Sequence, residues 1–173
     1  MKKLILLIAV LLMGVLGIQA RTRSSAIAND VDAKAAFERL SSLAGEWEAD
    51  SSMGKSHITY ELIAGGSTLV ERETMDHMPP METMYHIDGK RLLLTHYCAA
   101  GNQPRMQATL FRPTSGDLQF EFIDATGMAS ASDGHMHNAR FRLVDRNHFS
   151  SEWDFYENGQ KRSTESFHFV RIR

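Results

Sequence analysis

The sequence predicts an all-β fold: an up-and-down antiparallel barrel of about ten strands, with one short N-terminal helix plugging one end. Three observations predict it. From Glu46 onward apolar residues sit at alternate positions, as in Ile58/Tyr60/Leu62, Leu118/Phe120/Phe122 and Phe149/Trp153/Phe155, which is the period of a half-buried strand. Turn residues break this pattern at short intervals. No helical pattern interrupts it, so each strand has its sequence neighbours to pair with. A meander of this length has two edges to hide, and closing into a barrel removes both. A two-sheet sandwich is the alternative.

The elements follow in order. Residues 1–20 read as a signal peptide: Met1-Lys2-Lys3 is the positive start, Leu4 to Ile18 the apolar run, and Ala20 the small residue for cleavage. The run is too short for a comfortable membrane span. No cysteine follows it, so a lipid-modified N-terminus is not expected. Residues 21–29 read as a disordered lead-in, and 30–173 as a single domain. Asn29 or Asp30 can cap a helix with a stripe of Phe37, Leu40 and Leu43, with Ala33, Ala36 and Ala44 as small neighbours; Gly45 supplies a stop. The strands fall at about 46–52, 56–63, 67–74, 81–88, 91–98, 105–112, 117–124, 135–144, 148–157 and 162–172. Between them lie turns such as Ala64-Gly65-Gly66, Asp88-Gly89-Lys90 and Asn158-Gly159-Gln160.

Composition narrows the partners. Without Lys2 and Lys3 the chain carries 17 basic and 21 acidic residues, a net charge of about −4. Mild acidity without a basic cluster argues against nucleic acid, and against a membrane surface after signal cleavage. The single cysteine, Cys98, excludes an intramolecular disulfide, so an exported domain must rely on packing or sheet closure. Oligomeric state is left open.

The chemistry concentrates in two segments. In Leu92–Cys98, His96 and Cys98 share a face with Leu92 and Leu94; in His135–Leu143, His135 and His137 share one with Ala139, Phe141 and Leu143. Met106 faces the same way as Ala108 and Leu110, and Asp124 as Leu118, Phe120 and Phe122. In a meander odd strands end, and even strands begin, at one rim. His96, Cys98, Met106, Asp124, His135 and His137 therefore gather at the end away from the helix, where loops 75–80, 99–104 and 125–134 are longest. Ligand pockets commonly lie in such mouths. The expected function is an exported, periplasmic or secreted barrel that holds a small, mostly apolar ligand. Tyr85, His96, Cys98, Met106, Asp124, His135, His137 and Trp153 would contact it, with Trp47, Tyr60, Phe120, Phe122, Phe141 and Phe155 forming core or wall.

Other chemistries use the same parts. Histidines two apart on a strand lie about 6.5–7 Å apart on one side, so His96, Cys98, His135 and His137 could form a Zn or Cu site. The bland reading of the same residues is a hydrogen-bonded polar layer. Met75, Met78, Met81 and Met84, with His77 and His86 among them, are either a Cu(I)-type loop or a flexible apolar rim. Cys98 near His96 or His135, with Asp124 as orienter, has the parts of a thiol enzyme. It has no catalytic motif, and no catalytic residue is assigned.

Leu43-Ala44-Gly45-Glu46-Trp47, a short helix running into an all-β meander, resembles the calycin superfamily. Lipocalins carry Gly-x-Trp on the first strand and a basic residue near the end of the last. Here these are Gly45, Trp47 and Arg171 or Arg173, which implies a guanidinium covering the indole. The second lipocalin motif and the C-terminal helix are missing. Ten strands look more like fatty-acid-binding and nitrobindin-like barrels, although Met53-Gly54-Lys55 leaves no room for the former's helical lid. The nitrobindin likeness implies haem through a late-strand histidine, here His168, whose facing is ambiguous; a packed or surface histidine is the stronger reading. Met84–Gly89, Leu94–Met106 and His135-Met136-His137 also resemble a group of exported bacterial proteins without an assigned activity, which implies a fold and no chemistry.

Overall fold

A computed structural model describes residues 31–51 and 54–173. The signal peptide, the lead-in and the Asn29/Asp30 cap lie outside the described residues. The helix cap is instead Asp32, whose carboxylate accepts from the Ala35 N–H at 3.0 Å, and helix α1 spans Ala33–Ser41. Ala33, Ala36, Phe37 and Leu40 are its buried stripe. Leu43 continues it.

Ten strands follow: β1 (Gly45–Ser51), β2 (Gly54–Ile63), β3 (Thr68–Met75), β4 (Met81–Asp88), β5 (Arg91–Tyr97), β6 (Gln103–Arg112), β7 (Asp117–Thr126), β8 (His135–Leu143), β9 (His148–Glu157) and β10 (Gln160–Arg171). Each pairs antiparallel with its sequence neighbours, and β1 pairs with β10, so the sheet is a closed barrel. No edge is left to template aggregation. The α1 side chains join the lumen aromatics Trp47, Tyr85, Phe120, Phe141 and Phe149 in one continuous core. Among the described residues no helix is long and apolar enough to cross a membrane.

Closure rests on a small cluster. The seam has two register pairs, Trp47 with Arg171 and Glu48 with Val170. The Arg171 guanidinium lies 4.1 Å from the Trp47 ring centroid, as the lipocalin-like resemblance implied. It also donates to the carbonyls of Ala44 at 2.7 Å, Ser42 at 2.9 Å and Arg146 at 2.7 Å. The Trp47 indole N–H donates to Leu43 O at 2.7 Å. One side chain thus ties the helix exit, the first strand and the β8–β9 turn to the last strand. Gly45 makes room for it: its φ is +131°, and a Cβ there would collide with Arg171 Nη1 and Arg173 O.

Four inserted residues interrupt strict alternation, one of them Arg162 on β10 between the Lys161–Tyr156 and Ser163–Phe155 pairs. Thr109 on β6 is extra between the Ala108–Phe120 and Leu110–Gln119 pairs; Ile123 on β7 is extra between Arg105–Asp124 and Met106–Phe122. His137 on β8 is extra between Met136–Phe155 and Asn138–Asp154. Each such bulge flips the facing beyond it. The Thr109 bulge corrects one expectation: Phe111, not Leu110, continues the inner face of β6. On β10, Phe167 and Phe169 face inward, leaving His168, Val170 and Ile172 exposed.

Replacing Arg171 with Ala should lower stability by about 1–2 kcal/mol, since it removes a cation–π contact and hydrogen bonds to three carbonyls on exposed residues. Arg171→Lys should recover little, because an ammonium cannot reproduce the fork. Denaturant melts followed by circular dichroism will read both.

Candidate functional site

The residues singled out in the sequence divide between two places at the helix-distal end. Tyr85, His96, Met106 and Trp153 are buried in the barrel lumen, and Cys98 packs half-buried against them. Asp124, His135 and His137 line a separate cleft. The four histidine and cysteine side chains proposed as one metal site therefore do not converge. Among the described residues no three His, Cys, Asp or Glu side chains are grouped so as to hold one metal ion.

The cleft forms because β7 and β8 pair only as far as Glu121 and Asn138. Beyond that the strands part, leaving a space of about 530 Å3 lined by Phe122, Ile123, Met128, His135, His137 and Tyr156 among others. The His137 bulge puts Met136 into the core and turns both histidines to this cleft. His137 stacks between Phe122 and Tyr156, at 4.7 and 4.2 Å. His135 bonds the Asp133 carbonyl at 2.8 Å and His137 Nδ1 at 3.0 Å. Phe122 is thus a cleft residue rather than barrel wall. Asp124 turns away from Phe122 and Phe120 after the Ile123 bulge, and makes a two-pronged ion pair with Arg105 on the outer face.

The lumen holds chemistry that strand reading missed. Leu69, Glu71, Glu73 and Met75 form the inner face of β3, opposite in parity to Arg72 and Thr74. Cross-strand register places Tyr60, Glu71, Thr83 and His96 in one row across β2, β3, β4 and β5. Glu71 Oε2 accepts from the hydroxyls of Tyr60 and Tyr85, each at 2.7 Å. Its Oε1 accepts from Thr83 at 3.4 Å. Burial pushes the Glu71 carboxyl up, and the three donors pull it back. The tyrosines are pushed well above their usual range, first by burial and then by the Glu71 charge.

One step toward the mouth, Glu73 accepts from Ser56 Oγ at 2.6 Å, and burial with Glu71 nearby raises it to about 7. Glu165 on β10 pairs in register with Trp153. It has no hydrogen-bond or ion-pair partner among the described residues, and burial raises its carboxyl. His96 is 4% exposed. Its Nδ1 lies 2.9 Å from Thr83 Oγ1, while Nε2 is buried and has no partner. Its ring leans on Trp153 at 5.0 Å. Desolvation lowers it to about 4, so it is neutral at physiological pH. Burial also raises the Cys98 thiol, against the Ala100 N–H and with the Glu165 charge.

The mouth is edged by sulfur. Met75, Met81 and Met136 are buried, and Met78 packs at the core's margin. Met84 lies on the opposite face of β4 from Met81 and Thr83, so the four-methionine series does not act as one unit. Glu73, Cys98, Phe155 and Glu165 all keep part of their surface open. These side chains mark the solvent-facing rim of the lumen.

Comparison with solved structures gives the fold alone. The chain is similar to a protein of unknown function from the DUF3598 family of Nostoc punctiforme, with 13% identity and a TM-score of 0.56. That match covers 77% of this chain and 48% of the other, so this chain spans about half of that protein's length. It is also similar to Rv2717c from M. tuberculosis, with 15% identity and a TM-score of 0.55, over 80% of this chain and 98% of that one. No family model and no curated protein matches the sequence.

The two titrations in the lumen have opposite signs. Folding raises Glu73 from 4.5 to about 7, so its contribution to stability is greatest at low pH and is lost as pH rises through that window. Folding lowers His96 from 6.5 to about 4, so its contribution is complete above 6.5 and is lost as pH falls. Relative to wild type, Glu73→Gln should gain stability between pH 4.5 and 7, and His96→Phe should gain as pH drops from 6.5 toward 4. The slopes should reach up to about 1.4 kcal/mol per pH unit. Urea melts across this range will measure them.

Proposed function

We propose that this protein is an exported binding protein that takes a small organic molecule into the helix-distal half of its lumen. The ligand's apolar body rests against Trp153, Phe155 and the methionine rim. Its polar group meets His96, with Glu73 and Glu165 close by. Cys98 and Met106 line the wall. Export rests on the pattern of residues 1–20.

The observation that carries the reading is His96 Nε2. A buried polar atom left without a partner costs on the order of 1–3 kcal/mol, and the described chain supplies none. Water would fill this position in the free protein, and a ligand's polar group would displace it. Supporting this, the inward-facing surface beside it is aromatic and sulfur-rich, which suits an irregular apolar body, and its inward residues stay partly open to solvent. The similar barrels named above support a fold able to hold a ligand, since barrels of this kind can enclose one small molecule.

Native mass spectrometry on protein purified under mild conditions should reveal a small molecule that leaves on denaturation. His96→Phe keeps the volume and removes the nitrogen; it should weaken retention about ten-fold or more, the equivalent of one good hydrogen bond. The double change His135→Ala, His137→Ala alters only the cleft and should leave retention intact. Retention lost in the cleft variant but kept in His96→Phe would move the site out of the lumen. A folded His96→Phe protein that binds like wild type would refute the reading.

A further inference from the structure

Resting on that reading, we infer that the ligand is a cation: a molecule with a protonated amine or a similar donor-rich head on an apolar body. The inner wall offers acceptors and carboxylates and, among the described residues, no cation. Every described lysine and arginine lies on the outer face, in a turn or at the helix end. Lys55, Arg72, Arg105, Arg140 and Arg142 pair with acidic side chains on the outer face, and Arg171 serves the seam. A carboxylate- or phosphate-headed ligand would thus enter a lumen that carries Glu71, Glu73 and Glu165 and has no described counter-charge for it.

The hydrogen-bond directions agree. Glu71 already receives three donors, from Tyr60, Tyr85 and Thr83, and is saturated by the protein itself. The Thr83 hydroxyl has one proton; we assign it to Glu71 at 3.4 Å, since giving it to His96 Nδ1 at 2.9 Å would make Nε2 a donor instead. The short contact to His96 Nδ1 must then be filled by the imidazole's own N–H donating to Thr83 Oγ1. This assigns the Nδ1–H tautomer and leaves Nε2 as a bare acceptor. Glu73 receives one donor, from Ser56, and Glu165 has none. Of the groups with capacity left over, His96 Nε2, Glu73 and Glu165 are acceptors, while the Trp153 indole N–H and the Cys98 thiol are neutral donors that carry no charge for an anion. An ammonium carries three donors and no acceptor, and its charge offsets the desolvated carboxyls. Trp153, already against His96, offers an aromatic face of the kind that attracts a cation.

The unpaired acidic pair also explains why burial lifts Glu73 and Glu165: each lacks the positive neighbour that would hold it ionised. Binding of a cation would lower both and release protons.

The test uses three probes that differ only in the head: octylamine, octanol and octanoate, titrated by calorimetry into the full protein near pH 7.5. Octylamine should bind at least ten-fold more tightly than octanoate, with octanol between them. Its affinity should fall as pH drops below about 7, where Glu73 takes up its proton. The double variant Glu73→Gln, Glu165→Gln, checked for fold by circular dichroism, should lose the preference for amine over alcohol and still bind octanol. Octanoate binding as tightly as octylamine, or a preference unchanged in the double variant, would overturn the cationic assignment while leaving a lumen binding site in place. Failure of all three probes, together with no co-purifying molecule, would overturn both.

Discussion

The fold depends on one guanidinium. Nine of the ten strand junctions are made between sequence neighbours, so local turns bring their strands together. The tenth joins the two ends of the sheet, and no loop enforces it. Arg171 does this by lying on Trp47 and bonding three carbonyls, two at the helix exit and one in the β8–β9 turn. The geometry works because Gly45 presents bare backbone to it. A long-range contact of this kind must be made after the loop entropy has been spent, so it suits a side chain that makes several bonds at once.

A closed barrel then sets the electrostatics. Once the sheet has no edge, each inward side chain trades water for its neighbours, and its protonation is decided by what those neighbours are. Tyr60, Tyr85 and Thr83 surround Glu71 with donors, so the deepest acid is satisfied without a counter-ion. Nearer the mouth the supply of donors runs out. Glu73 has one, Glu165 none, and His96 keeps a free nitrogen. The gradient from a sated interior to an unsated rim is what makes this half of the barrel a candidate for chemistry from outside. By contrast Asp154, also buried, is held well below the usual carboxylate range by Arg140, Thr164 and Lys161 on the outer wall, and asks for nothing more.

Much of this was legible in the sequence, and the failures have physical causes. Strand number and the helix could be read because period and turn residues report locally, and the lipocalin-like motif implied a guanidinium over Trp47 from Arg171 or Arg173, of which it is Arg171. The inward facing of Tyr85, His96, Met106 and Trp153 followed from simple alternation. Asp124 and the His135–His137 pair did not, because one inserted residue on each strand reverses the parity, and a bulge leaves no compositional mark. Glu71 and Glu73 were missed for another reason. On β3 the apolar Val70 sits on the outer face and two acids on the inner one, so hydrophobicity pointed the wrong way. A signal did exist: Tyr60 and Tyr85 both fall at inward positions, and buried phenols need an acceptor. Those hydroxyls find their acceptor on β3, in Glu71.

The surroundings of Cys98 bear on how the molecule ages. Thiol–disulfide exchange and peroxide attack both proceed through the thiolate. Here partial burial, with an acidic neighbour at its side, keeps sulfur in its protonated form. In an oxidising compartment such a residue reacts slowly with glutathione or with a second chain. The lone thiol is therefore a slow nucleophile where it sits, with burial and the unpaired Glu165 carboxyl both favouring its protonated form.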